Sequence, residues 1–207
     1  MTTPTCCDLC EDPLNHGHDL VGGMALCRRC YLGDLQRALQ MRGWSLKSKH
    51  HEVRLRRDDD HRVLVTEVQM VIGAQPALRL RAQRFRFWMV LLGLLRRRAR
   101  SSDSLFEAKV RVWTEGPAQA EAFMKQEGVE SCLFDVLGNL APSYAQIQGE
   151  NVSVHYYSDD PHTEGEIVAR VAVLALHLER FAAADDVPAA PPVPVPASKY
   201  GRPSGPG

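Results

Sequence analysis

No apolar run in this 207-residue chain approaches the roughly twenty residues that a membrane-spanning helix needs. The longest, residues 87–95, is far too short, and no basic start followed by an apolar stretch marks a signal peptide. A soluble, cytoplasmic protein with reduced thiols is therefore expected. A glycine-rich phosphate cradle, a Walker motif and a His-Glu-x-x-His pair are also missing, which removes the usual sequence signs of nucleotide and metallohydrolase chemistry. Net charge is absent too, with 25 Lys+Arg against 25 Asp+Glu, but that balance hides a segregation. Residues 47–104 carry 14 basic against 6 acidic side chains, and residues 105–186 carry 5 against 14. Such asymmetry suits a basic face docked on an acidic one within the chain, or a basic surface offered to an acidic partner.

What the chain does have is Cys7-Asp8-Leu9-Cys10 followed, after sixteen residues, by Cys27-Arg28-Arg29-Cys30. Two Cys-x-x-Cys pairs around a hairpin-sized insert have the ligand type, number and spacing of a tetrahedral structural zinc site. Each pair makes a tight turn that aims two sulfurs at one point. Four protein ligands leave no place for water or substrate, so one structural Zn2+ and no catalytic metal is expected. Between the pairs, residues 20–26 read as two short strands joined by Gly22-Gly23. From about Cys27, Tyr31, Leu32, Leu35, Ala38 and Leu39 recur at helical spacing, and Gly43 suits a left-handed helix stop.

Turn, hairpin, turn and helix over residues 6–43 resemble the treble-clef fingers, a broad class that includes LIM-like modules. The resemblance implies zinc on Cys7, Cys10, Cys27 and Cys30 and names no partner. A disulfide reading of the thiols would need an oxidising compartment, so zinc is preferred. Cys6 is adjacent to Cys7 and open as an alternative ligand, while His16 and His18 in the insert read first as solvated loop residues, with replacement of a thiol or binding of a second ion as the alternatives.

The remainder reads as an α+β domain, residues 47–186, after a finger over residues 1–46 and before a disordered proline-rich tail from residue 187. Val53, Leu55 and residues 63–72 suggest a hairpin around Asp58-Asp59-Asp60-His61. Residues 87–95, flanked by arginines, read as a buried core helix in preference to an interfacial one, so membrane contact is not expected. Two-residue alternation in Leu78-Arg79-Leu80-Arg81 and Arg84-Phe85-Arg86-Phe87 places arginines together on one strand face. The alternation Phe106, Ala108, Val110 and Val112 predicts a strand over residues 105–113. Pro117 opens a helix that Gly128 closes, Ser131 caps a second, and Pro142 ends it. Residues 145–156 read as a hairpin around Gly149-Glu150-Asn151. Thr163-Glu164-Gly165-Glu166 has capping-box spacing, and Ile167, Val171, Leu174, Leu178 and Phe181 form the apolar stripe of the longest helix, facing a sheet.

Ser102-Asp103 and Phe106-Glu107, followed by a strand, helices, a hairpin and a long helix, resemble a bacterial α+β domain whose members often carry Thr-Gly-Asp and Phe-Asp there. That resemblance spans roughly residues 50–184 and implies a fold without an activity.

Three functions compete. The first is a non-enzymatic, zinc-containing interaction or adaptor protein with a protein partner. The second is nucleic-acid binding through Arg79, Arg81, Arg84, Arg86, Arg96, Arg97, Arg98 and Arg100, with Lys47 and Lys49, since arginines interleaved with Phe85, Phe87 and Trp88 could hold phosphates and stack bases. The third is an enzyme using Cys132 with His155, His177 or Asp135. Cys132 lacks a flanking signature and reads first as a core thiol. Ser158-Asp159-Asp160-Pro161-His162 lacks the calcium-loop pattern and reads as a turn.

Overall fold

At Gly22 and Gly23, where φ is +52° and +77°, the chain takes the two left-handed conformations of a tight hairpin turn. Strand β1 (Asp19–Val21) thereby pairs with β2 (Met24–Leu26), Val21 opposite Met24. The computed structural model describes residues 4–14, 18–54, 62–74, 76–84, 97–138, 144–157 and 161–184. The expectations for His16, the Asp58–His61 turn, the 87–95 helix with its aromatics, Arg86, Arg96, Pro142, Ser158 to Asp160 and the tail lie outside the described residues.

Helices α1 (Arg28–Tyr31) and α2 (Gln36–Arg42) replace the single helix anticipated after Cys27. Gly33, at φ +88°, divides them. The Gly43 stop is left-handed as expected, at φ +65°, and the Trp44 N–H donates to Leu39 O at 3.0 Å.

The chain runs from Trp44 straight into β3 (Ser45–Arg54), then β4 (Arg62–Val71) and β5 (Arg79–Arg84). Strand β6 (Arg98–Ala99), helix α3 (Ser104–Lys109), strand β7 (Val110–Thr114), helix α4 (Pro117–Met124) and helix α5 (Val129–Gly138) follow. The hairpin β8 (Tyr144–Gln148) and β9 (Asn151–Tyr157) leads to α6 (Pro161–Ala183). The strands β3 to β9 form one seven-stranded sheet in the order β3-β4-β9-β8-β5-β7-β6, with every neighbouring pair antiparallel. Helices on an antiparallel sheet make this an α+β fold. No described helix is long and apolar enough to cross a membrane.

Strand alternation gives the sheet two unlike faces. Val68, Met70, Leu80, Ala82, Val112, Ala145, Ile147, Val152, Val154 and Tyr156 are buried on the side that receives α5 and α6. Cross-strand register puts Trp113, Arg81, Gln146, Ser153, Gln69 and Lys47 in one row on the other side. The adjoining row is Arg111, Gln83, Tyr144, His155, Glu67 and Lys49. That face is polar.

Three elements depart from the sequence expectation. Residues 105–113 are not one strand. Asp103 accepts the Leu105 N–H at 2.7 Å and the Phe106 N–H at 3.3 Å, capping α3, so that Phe106 is buried and Ala108 is exposed. The cap outweighs the alternation. Helix α5 starts at Val129, since the Cys132 N–H already donates to Gly128 O at 2.8 Å, and Ser131 therefore lies inside it. Helix α6 begins at Pro161, before the expected cap at Thr163, with proline again in the first turn.

The α6 stripe is also wider than anticipated. Every residue from 171 to 178 is buried, because one side of the helix meets the sheet while the others meet α5 and the finger. A helix that is apolar all round, as Val171-Ala172-Val173-Leu174-Ala175-Leu176 is, fits between layers. Its far end is fastened by Phe181, edge-to-face with Phe123 at 5.4 Å and 76°.

Candidate metal centre

The two Cys-x-x-Cys pairs reach one point from different local structures. The first lies on a knuckle whose stem is the antiparallel bridge between Cys6 and Pro13. The Cys7 N–H donates to Asp12 O at 2.8 Å, the Glu11 N–H donates to Cys7 O at 2.9 Å, and Glu11 takes φ +59° to close the turn. The second pair uses a helix start: Cys27 immediately precedes α1, Cys30 lies in it, and the Tyr31 N–H donates to Cys27 O at 3.0 Å. The hairpin ties the two together, since the Asp8 N–H donates to Ala25 O at 2.9 Å while Asp8 Oδ2 accepts the Ala25 N–H at 2.7 Å.

The Sγ atoms of Cys7, Cys10, Cys27 and Cys30 all lie within 4.8 Å of one another. Cys10 Sγ and Cys27 Sγ are 3.7 Å apart, a separation that matches the edge of about 3.8 Å of a sulfur tetrahedron with metal–sulfur bonds of about 2.3 Å. It is far beyond the ~2.05 Å of a disulfide, and all four thiols are free. These residues could hold a metal ion. Cys7, Cys10 and Cys30 are buried, whereas Cys6 is exposed and stands outside the group, as does His18.

Electrostatics within the cluster favour a cation. The Cys30 thiol hydrogen-bonded to Cys7, with further help from nearby backbone N–H groups, holds Cys7 down at about 4. Cys30, as the partner of that thiolate and itself buried, is pushed far up, and burial pushes Cys10 to about 12. Cys7 is thereby the sulfur most easily ionised, while Cys10 and Cys30 hold their protons more tightly. A divalent ion at the centre would displace those protons, because metal-bound thiols are deprotonated.

The knuckle is bolted to α6. Arg42 donates from Nε to Leu9 O at 3.0 Å, from Nη2 to Asp8 O at 2.7 Å and from Nη1 to Glu179 Oε2 at 2.8 Å. The Trp44 indole N–H donates to the other Glu179 oxygen at 3.2 Å. Arg180 donates to Asp8 Oδ1 at 2.8 Å. His177 is buried with Nε2 donating to Gly22 O at 2.9 Å, and burial lowers its pKa. Backbones also meet closely: a Cβ on Gly22 would come 2.6 Å from Cys132 Cβ, and one on Gly33 would come 2.7 Å from Gly165 Cα. Sequence reading missed Arg42, Glu179, Trp44 and the close approaches of Gly22 to Cys132 and of Gly33 to Gly165. Gly165 in mid-helix, where glycine costs roughly 1 kcal/mol against alanine, was the available signal.

The other anticipated residues are scattered. Cys132 is fully buried, donates to Arg170 O at 3.6 Å and is raised to about 12 by burial. It faces α6 and the finger, whereas His155 lies on the polar side of the sheet, stacked on Tyr144 at 4.2 Å and 3.5 Å from Glu67. Cys132 and His155 are not brought together, and His177 is occupied by Gly22.

Of the arginines, Arg79 and Arg81 share the polar face. Arg84 does not join them, which corrects the one-face expectation. It pairs with Val110 and so falls on the opposite side, because it lies an odd step of three positions from Arg81 in the pleat. Arg97 and Arg100 are exposed, Arg98 is ion-paired with Glu107, and Arg79 lies 3.2 Å from Glu115. The basic and acidic stretches thus meet in part. No protein-family model, curated protein or solved structure matches the chain.

Proposed function

We propose that this is a non-enzymatic interaction protein whose finger, of treble-clef type, holds one structural Zn2+ on Cys7, Cys10, Cys27 and Cys30. The observation that supports the reading is the donor set: four clustered thiols, three of them buried, are enough to fill a tetrahedral metal site and would leave no position for a substrate. Knuckle, hairpin and helix in that order support the treble-clef assignment. An all-sulfur tetrahedral set suits zinc and not the hard, oxygen-seeking cations.

Bound zinc supplies a cross-link and no chemistry. The chain's own residues orient the module. Arg42 and Arg180, both bonded to Asp8 within the knuckle, bring positive charge toward a tetrathiolate that carries two net negative charges with Zn2+. A finger bonded in this way to a packed helix is a rigid knob, and Leu20, Leu32 and Met41 project from it at 70%, 58% and 46% exposure. Apolar side chains on a rigid, cross-linked module are suited to contact with another protein.

The test has two readouts. Native mass spectrometry of reduced protein is expected to give one zinc per chain, and zinc-free folded protein would overturn the metal assignment. A photoreactive residue at Leu20 or Leu32 in the source cells is expected to yield one discrete protein adduct, lost when Cys30→Ser is added. Zinc-loaded protein that forms no adduct from either position would overturn the contact role.

A further inference from the structure

On the polar side of the sheet, away from α6 and the finger, a depression of about 530 Å3 lies against β5, β7 and β8. Arg79, Arg81, Arg97, Trp113, Gln146 and Gln148 line it. Its size falls within the roughly 300–1,000 Å3 of small-molecule clefts. Its charge is the more informative property. Glu115, also in the lining, offsets Arg79 at 3.2 Å. Among the described residues, neither Arg81 nor Arg97 has an ion-pair partner, so the cleft carries two uncompensated positive charges.

Arg81 is held ready. Its guanidinium carbon lies 3.7 Å from the centroid of the Tyr144 ring, which stacks in turn on His155 at 4.2 Å and 19°. His155 Nε2 is 3.5 Å from Glu67 Oε1. This ladder across four strands fixes the plane of the guanidinium by its face while leaving the in-plane N–H groups to bond elsewhere. Yet Arg81 Nε is buried without any acceptor. A buried donor on a cation with no partner is costly, and the cost is relieved by an anion that takes the fork of the guanidinium.

We propose that this depression binds a small phosphomonoester, its phosphoryl oxygens between Arg81 and Arg97 and its organic part over Trp113, Gln146 and Gln148. Two guanidiniums without an ion-pair partner among the described residues match a group that carries about 1.5 to 2 negative charges near neutral pH. The carboxamides of Gln146 and Gln148, 3.4 Å apart, offer donors and acceptors to a polar ring or sugar. A phosphodiester chain, with one charge per phosphate, is the competing source of the same chemistry.

The experiment titrates zinc-loaded, full-length protein with inorganic phosphate, phenyl phosphate and adenosine 5′-monophosphate, following the Arg Nε and Trp113 indole resonances. Saturable shifts at Arg81, Arg97 and Trp113 are expected. Phenyl phosphate or the nucleotide should bind more tightly than the bare ion, and Arg81→Gln or Arg97→Gln should weaken binding at least about tenfold. Arg79→Gln, whose charge is already offset, should weaken it less. Absence of saturable shifts in the folded protein, or shifts indifferent to both substitutions, would overturn the site. A single-stranded oligothymidylate that binds equally well with and without a 5′-phosphate, and more tightly than the nucleotide, would overturn the monoester in favour of a phosphodiester chain.

Discussion

The finger is assembled from strands of three residues and helices of four and seven, whereas the sheet contains ten-residue strands and a helix of 23. A two-stranded hairpin is marginal in water, as is any isolated helix shorter than about 12 to 15 residues. On the proposed reading the finger is therefore held by a metal cross-link as well as by docking. The sheet and its helices instead bury Met70, Leu80, Ile147, Leu133 and Leu174 in a shared core, each large apolar side chain contributing about 2 kcal/mol of transfer free energy. Buried residues of the two regions nevertheless form one continuous cluster, from Leu9 and Leu26 to Val173 and Leu178. Two sources of order, the proposed metal cross-link and the distributed core, would then meet along α6.

The comparison is tested most strongly by removing the metal. Chelation, or Cys30→Ser, should abolish zinc binding worth on the order of 10 kcal/mol in apparent terms. Amide exchange in β1, β2 and α2 should become fast while β8 and β9 stay protected. Simultaneous loss of protection in the sheet would mean that the metal holds the whole protein. Next in size is Gly165→Ala. Helix propensity alone predicts a gain of roughly 1 kcal/mol, but the new methyl would strike the Leu32 carbonyl, so a net loss of about 1–3 kcal/mol is expected by thermal unfolding.

Arg42→Met should cost about 1–3 kcal/mol, because it leaves the Asp8 and Leu9 carbonyls and Glu179 short of a donor in a half-buried seam. In contrast, Arg79→Ala on the exposed Arg79–Glu115 pair should change stability by no more than about 0.5 kcal/mol. Similar losses from the two would remove the distinction between seam and surface.

The smallest effect is one of pH. Burial lowers the pKa of His177 against the usual value of about 6.5, with Arg180 reinforcing the shift and Asp8 and the Gly22 carbonyl opposing it. The unfolded chain therefore takes up a proton first on acidification. Stability from the neutral ring is complete above about pH 6.5 and declines as the pH falls from there toward the lowered folded value. His177→Gln should flatten this component in a comparison of denaturant midpoints with wild type, in which the shared thiolate contribution cancels.

Much of the finger was legible locally. Cys-x-x-Cys spacing, the Gly22-Gly23 turn and the Gly43 stop are properties of a few adjacent residues, and the clustered thiols follow from them. The 145–156 hairpin was legible for the same reason. Illegible features depend on partners far along the chain. Alternation at residues 105–113 imitated a strand because the capping strength of Asp103 and the salt bridge from Arg98 to Glu107 are not visible in periodicity. Arg84 was assigned to the wrong face because the two alternating runs are out of phase by an odd step, while β5 continues unbroken from Arg79 to Arg84.

By itself, then, the amino-acid order determined which four sulfurs could converge and most of the strand and helix segments, residues 105–109 being the clear exception, since both are read from spacings of two to four residues. Tertiary structure alone decided that Arg42 bridges Asp8 to Glu179, that Gly33 meets Gly165, and that Arg81 and Arg97 share a cleft. Those contacts join residues separated by as many as 137 positions, and their energies appear only once the core has met the loop-closure entropy of bringing them together.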